Sequence, residues 1–156
     1  MNATELAAWW GAVIATLVLA WDAYKWKRTG PIVNGSASPN MERVPHGHED
    51  EKFVVVTVTN TGDRKTTITH LIGFHYASVY NRLRKKQDTS FFVATPALST
   101  PLPHVLESGE RWFGGIEQNE ELEQMSQNGY LYCGVYHSGA KRPVVQRVIV
   151  RSENGT

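Results

Sequence analysis

Cysteine is nearly absent. The 156 residues contain one, Cys133, so no internal disulfide forms, and the class of small oxidised, disulfide-stapled domains is excluded. Net charge is nearly absent as well. Sixteen Lys and Arg stand against fifteen Asp and Glu, a formal +1, which gives no global field to draw in nucleic acid; no DNA partner is expected. Catalytic signatures are missing: the chain has no P-loop, GxGxxG, GxSxG, HExxH or CxxC. No enzymatic activity and no cofactor are therefore expected, although loops of a β domain can carry a site without such a motif. There is no internal repeat and no low-complexity tract. The apolar fraction of 41% and charged fraction of 20% exclude a wholly disordered or collagen-like chain. The length allows one compact domain and perhaps one further element.

What is present is very uneven. Mean hydropathy is −0.35, yet residues 6–21 carry no ionisable side chain. As a helix that stretch measures ~24 Å, short of a ~30 Å hydrocarbon core. Counted to Trp26 it reaches ~31 Å, with Trp9 and Trp10 near one end and Trp21, Tyr24 and Trp26 near the other, as interfacial belts require. Asp22 lies one turn from Lys25 and can pair or snorkel toward headgroups. Only Glu5 precedes the span, whereas Lys25, Lys27 and Arg28 follow it. The excess of positive charge predicts a single-pass protein of the cell inner membrane, N-terminus outside and C-terminal domain cytoplasmic. The lone thiol agrees with a reducing compartment. A cleaved signal peptide would want a basic n-region and a small-x-small cleavage site, and neither is here. Small residues Ala7, Gly11 and Ala15 recur at helical spacing, so membrane lipid and self-association through this row are both expected partners; alanine is also simply common in apolar helices.

The remainder reads as mainly β. Gly30-Pro31 stops the helix. Residues 29–51, rich in Gly, Ser, Pro, Asn and charge, read as a linker with an edge strand at Ile32-Val33. The domain proper is expected over 52–151, with a polar tail at 152–156. Residues 53–60 alternate, Val54, Val56 and Val58 on one face and Val55, Thr57 and Thr59 on the other. A second extended run covers 65–77, where Gly73 marks a bulge or close backbone approach. Residues 79–90 are polar and basic; Phe91, Phe92 and Val93 form a short strand. Three prolines demote 94–104 to loop or edge. Strand, turn, strand follows over 105–116. Residues 118–127 are the one helical candidate, with Leu122 and Met125 to bury. In 130–136, Leu131, Cys133 and Val135 share a face and Tyr130, Tyr132 and Tyr136 the other. A turn at 137–140 leads to a last strand over 143–151.

About seven short strands joined by turns favour an antiparallel β-sandwich over a βαβ fold. On VVVTVTNTG, TTITHLIGF, LESGERWFGGI and the closing YLYCGVY and VVQRVIV hairpin, residues 52–151 resemble an immunoglobulin-like domain, and the whole resembles small single-span bacterial membrane proteins carrying one. The resemblance is architectural. No second cysteine faces Cys133, and Leu131 stands where the antibody-type pattern has tyrosine two residues before it.

Among candidate sites, His46, His48, Glu49 and Asp50 offer metal-like donors, but in a polar loop without a spaced partner pair; no metal is expected. Cys133 reads as a core residue, not a nucleophile. Arg82, Arg84, Lys85 and Lys86, flanked by Tyr80 and Phe91, admit three readings: a solvated loop, a contact with anionic lipid, or a site for a phosphate-bearing ligand, nucleotide or RNA with an aromatic platform. Glu117, Glu120, Glu121 and Glu123 read as the wet face of a short helix. The function this predicts is a membrane-anchored cytoplasmic binding module with a protein partner, its terminal strand or Ile32-Val33 accepting a partner strand. The alternative is an oligomeric membrane effector whose β-sandwich binds a phosphate-bearing ligand and whose helices bundle to perturb the bilayer.

Overall fold

The computed structural model describes residues 2–42, 51–98 and 100–150, with the backbone alone at 27 and 28. The 46–50 cluster, Arg151, the tail at 152–156 and the side chains of Lys27 and Arg28 lie outside the described residues. The chain forms two units, Met1–Gly30 and Pro31–Thr156.

The first unit is α1, Ala3–Arg28. Glu5 Oε2 accepts the Asn2 N–H at 3.1 Å, and Glu5 and Leu6 donate to the Asn2 carbonyl, which closes the first turn. The Thr29 hydroxyl and N–H both donate to the Lys25 carbonyl, at 2.7 and 2.9 Å, and Thr29 turns extended. The Thr16 hydroxyl is satisfied within the helix by the Ala12 carbonyl at 2.8 Å. Residues Ala3–Trp26 have a mean hydropathy of 1.6 over their best window and none of it is buried. The helix is thus long and apolar enough to cross a membrane. Trp9, Trp10, Trp21, Tyr24 and Trp26 are all exposed, and Ala7, Gly11 and Ala15 stand on its open surface.

The second unit is mainly β, in two antiparallel sheets. One has the order β1 (Val33–Glu42), β2 (Lys52–Asn60), β6 (Arg111–Glu117). The other has β4 (Thr89–Val93), β3 (Thr66–Tyr76), β7 (Tyr130–His137), β8 (Val144–Val148), with β5 (His104–Leu106) also on β3. Two helices interrupt them, α2 (Val79–Leu83) and α3 (Glu120–Gln127). Both sheets feed one core: Val54, Val56, Val58, Trp112 and Ile116 from the first, Ile68, Leu71, Leu131, Cys133, Val135 and Val148 from the second. The alternations read in β2 and β7 therefore place the expected faces inward, because period-two spacing puts one set of side chains on one side.

Two expectations need correction. The stretch expected to be a linker with a two-residue edge strand is a ten-residue strand, β1, paired with β2 from Val33 opposite Asn60 to Glu42 opposite Lys52. Its small residues leave the inward positions half-buried, and Val33 and Ala37 pack on the core. Pro39 sits at an irregularity between Ser38 and Met41, where proline is tolerated, and Asn40 there exchanges hydrogen bonds with the Gln118 amide at 3.2 and 3.0 Å. Second, the basic segment after β3 contains α2, capped by Ser78 Oγ accepting the Asn81 N–H at 3.2 Å. The edges offered for strand addition, β1 and β8, each end a sheet and lie side by side without pairing, so close that a Cβ on Gly35 would stand 3.0 Å from Val144 Cγ1. The outer edges on the other side are β4 and β6, and Ala97 bridges to Gly115 on the latter.

The strand, turn, strand at 104–117 joins two sheets: β5 pairs with β3 and β6 with β2. Gly109, at φ 78°, makes the crossing turn. Asn119 Oδ1 accepts the Leu122 N–H at 2.9 Å and starts α3, whose Glu120, Glu121 and Glu123 suit the positive end of the helix. Leu122 is buried and Met125 packs on the core.

Candidate tyrosine-arginine face

The face of the second sheet turned away from the core is not bare. Ile72, Phe74 and Tyr132 are buried there, with Tyr76, Tyr130 and Tyr136 packed around them. The register builds it row by row. Phe92 lies opposite Ile72, Phe74 opposite Tyr132, Tyr132 opposite Arg147, Tyr76 opposite Tyr130, and His70 opposite Tyr136. Tyr76 and Tyr132 meet edge to face at 5.8 Å between centroids.

Guanidinium groups lie on these rings. Arg82 Cζ stands 4.8 Å from the Tyr132 centroid and Arg147 Cζ 4.6 Å from that of Tyr130; Arg84 covers Tyr80 at 4.6 Å within the α2 segment. Stacking on a ring fixes a long side chain while leaving its N–H fork free. Among the described residues no carboxylate pairs with Arg82, Arg84, Lys85 or Arg147, while Lys86 acts through its charge on Asp88, and all five cations are exposed. The phenol oxygens of Tyr130, Tyr132 and Tyr136 bond to no protein atom there. The one carboxylate in 77–90, Asp88, is committed. It accepts the Ala77 N–H at 2.8 Å and both bonds of the Asn81 amide, at 3.2 and 3.1 Å. The Ala77 bond first, then Asn81, holds its pKa below the usual carboxylate value, against a small opposing cost of burial. Asp88 thus ties the α2 segment to the end of β3, and the surface it supports is rich in donors and poor in acceptors.

Of the residues singled out from sequence, Arg82, Arg84, Lys85, Lys86 and Tyr80 gather in and after α2. Phe91 does not join them. It lies opposite Gly73, which lies opposite Cys133, so Phe91 faces the core, and its ring occupies the place a Cβ of residue 73 would take. Its neighbour Phe92 is on the outer face and 68% exposed. Tyr76, Tyr130, Tyr132, Tyr136 and Arg147 were not anticipated as part of a site. The alternation of three tyrosines in β7 was the available signal; what it lacked was the identity of the strands beside it.

Two clefts lie elsewhere. One of about 440 Å³ runs between β4 and α3, with Phe91, Leu122 and Met125 in its wall. Another of about 300 Å³ is lined by His104, Glu110, Trp112 and Phe113. There His104 Nε2 and Glu110 Oε1 are 3.2 Å apart, and the Glu107 N–H, ahead of His104, lowers the Glu110 pKa. Cys133 is fully buried, and burial pushes its thiol up to about 12, which suits a core residue and not a nucleophile. Among the described residues no three His, Cys, Asp or Glu side chains gather to hold a metal. No protein-family model, no curated protein and no solved structure matches the chain.

Proposed function

We propose that the chain is a membrane-anchored binding module: α1 spans the inner membrane once, and an immunoglobulin-like β-sandwich on its cytoplasmic side presents the tyrosine-arginine face to an anionic partner. The span is supported by a 24-residue apolar segment with none of its surface buried in protein. Its side is supported by Lys25, Lys27 and Arg28 after the span and no base before it. The sandwich is supported by two antiparallel sheets that share one core.

The observation that carries the binding function is a set of four cations unpaired among the described residues, Arg82, Arg84, Lys85 and Arg147, three of them stacked on tyrosines, beside rings with free hydroxyls. Cations held in place by stacking, with no acid among the described residues on them, lower the entropic cost of holding an anion.

Carbonate extraction of membranes, with protease digestion of a C-terminal tag in intact and opened cells, tests the anchor. The expected result is a pellet-bound chain whose tag is cut only after opening. Retention of the detergent-solubilised full chain on immobilised heparin, compared with an Arg82→Ala/Arg147→Ala variant, tests the face; earlier salt elution of the variant is expected. Dye leakage from vesicles that Gly11→Leu abolishes would favour the oligomeric effector instead.

A further inference from the structure

We infer that the anionic partner is single-stranded RNA, laid across the outer face of the second sheet with its phosphates on the guanidinium groups and its bases against exposed Phe92, the half-buried outward tyrosines and the guanidinium planes. The inference rests on the binding function proposed above and names its ligand.

An acidic peptide would use the cations alone. The face offers more than cations. Phe92, Tyr130, Tyr136 and Tyr76 sit at outward positions on three strands, β4, β7 and β3, so rings recur across the sheet as well as along it. Aromatic rings on an open sheet, bordered by Arg and Lys, are what unstacked bases need, since every base has a flat face and every linkage a phosphate. Arg82 and Arg147 add flat guanidinium planes, held over Tyr132 and Tyr130, that can stack a base or grip a phosphate with two N–H groups. The Tyr hydroxyls and the Lys85 and Lys86 ammonium groups are further donors. The site is open and follows the sheet, which suits a strand more than a small compact ligand, for which an enclosing cavity is the rule. Double-stranded nucleic acid hides its base faces, so the rings would serve no purpose with it.

The test uses the full chain in neutral-lipid nanodiscs and fluorescence anisotropy with a labelled oligouridylate of ~12 nucleotides, about one single-strand site length. Inorganic polyphosphate of matched charge and heparin are the competitors. RNA is expected to bind more tightly than polyphosphate, with log Kd rising against log salt at about 0.7 per phosphate contacted. Arg82→Ala/Arg147→Ala is expected to weaken both ligands tenfold or more. Phe92→Leu, at an exposed position that leaves the fold intact, is expected to weaken RNA about tenfold, with polyphosphate unchanged and Phe92→Tyr restoring binding. Equal loss of both ligands in Phe92→Leu, or no preference for RNA over polyphosphate, would overturn the inference while leaving an anion-binding face. Failure of the wild-type chain to bind any of the three polyanions would remove the binding function with it.

Discussion

Arg82 lies over the ring of Tyr132, its Cζ 4.8 Å from the centroid, although one residue belongs to a five-residue helix and the other to the middle of β7. The stack covers an otherwise wet edge of the Ile72, Phe74 and Tyr132 cluster and pins α2 to the sheet. A cation that stays exposed over a ring contributes ~0.5–1 kcal/mol. Arg82→Ala is accordingly expected to lower stability by that amount in urea unfolding of the full chain in mild detergent. Lysine at this position should recover only part of it, because the planar group is lost. A double-mutant cycle with Tyr132→Leu should return a coupling of similar size; a coupling of zero would show that the two groups do not stack in solution.

Gly73 is expected to resist any side chain. A Cβ there would occupy the volume of the Phe91 ring, and the ring cannot swing outward without opening the core beside Cys133. Gly73→Ala should cost ~1–3 kcal/mol, the usual range for overpacking. In combination with Phe91→Leu the loss should be smaller than the sum of the two single losses, since the smaller side chain makes the room. Additive losses would mean that the clash is relieved elsewhere.

The α2 segment should loosen in acid. Asp88 has a folded pKa below its ordinary 3.8, through the Ala77 N–H and then the Asn81 amide. A group with a depressed folded pKa adds stability above the unfolded value and loses it as pH falls through the folded one. The contribution is therefore complete above about pH 5 and fades below about pH 4. Hydrogen exchange at the Ala77 amide, corrected for its intrinsic rate, should accelerate over that range. In Asp88→Asn the acceleration should be absent, with exchange somewhat faster at neutral pH because a neutral oxygen accepts more weakly. An unchanged acid profile in the variant would assign the effect to another group.

Cys133 should be silent toward thiol reagents in the folded protein. It is fully buried and its pKa is pushed up to about 12 by burial, so at pH 8 it is both shielded and protonated. One equivalent should react only after denaturation, followed by release of the coloured thiolate from an aromatic disulfide reagent. Stoichiometric labelling of the native chain within seconds would take Cys133 out of the core.

Much of the fold was legible because it repeats locally. The faces of β2 and β7 follow from alternation within eight or nine residues, and α3 from Leu122 and Met125 three apart. Strand β1 was not legible, since Gly, Ser, Pro and Asn carry no pattern of their own and become a strand only because β2 supplies the hydrogen-bond partners. The candidate site was half legible: the cations of 82–86 stand together in the sequence, but the aromatic partner they need does not.

By itself, then, the sequence determined a long apolar helix followed by a chain of short strands, because hydrophobic length and period-two alternation are properties of consecutive residues. Tertiary structure alone decided that Phe92 and not Phe91 faces outward and that Arg147 joins Arg82 on the tyrosines. It alone turned Asn60 into a buried hub, its amide nitrogen donating to the Arg64 and Leu106 carbonyls at 2.7 and 3.2 Å and its oxygen accepting the Gly62 N–H at 3.1 Å. Those outcomes depend on register and on neighbours as far away in sequence as Arg82 and Tyr132, 50 positions apart, and a slip of one residue in pairing would exchange every face.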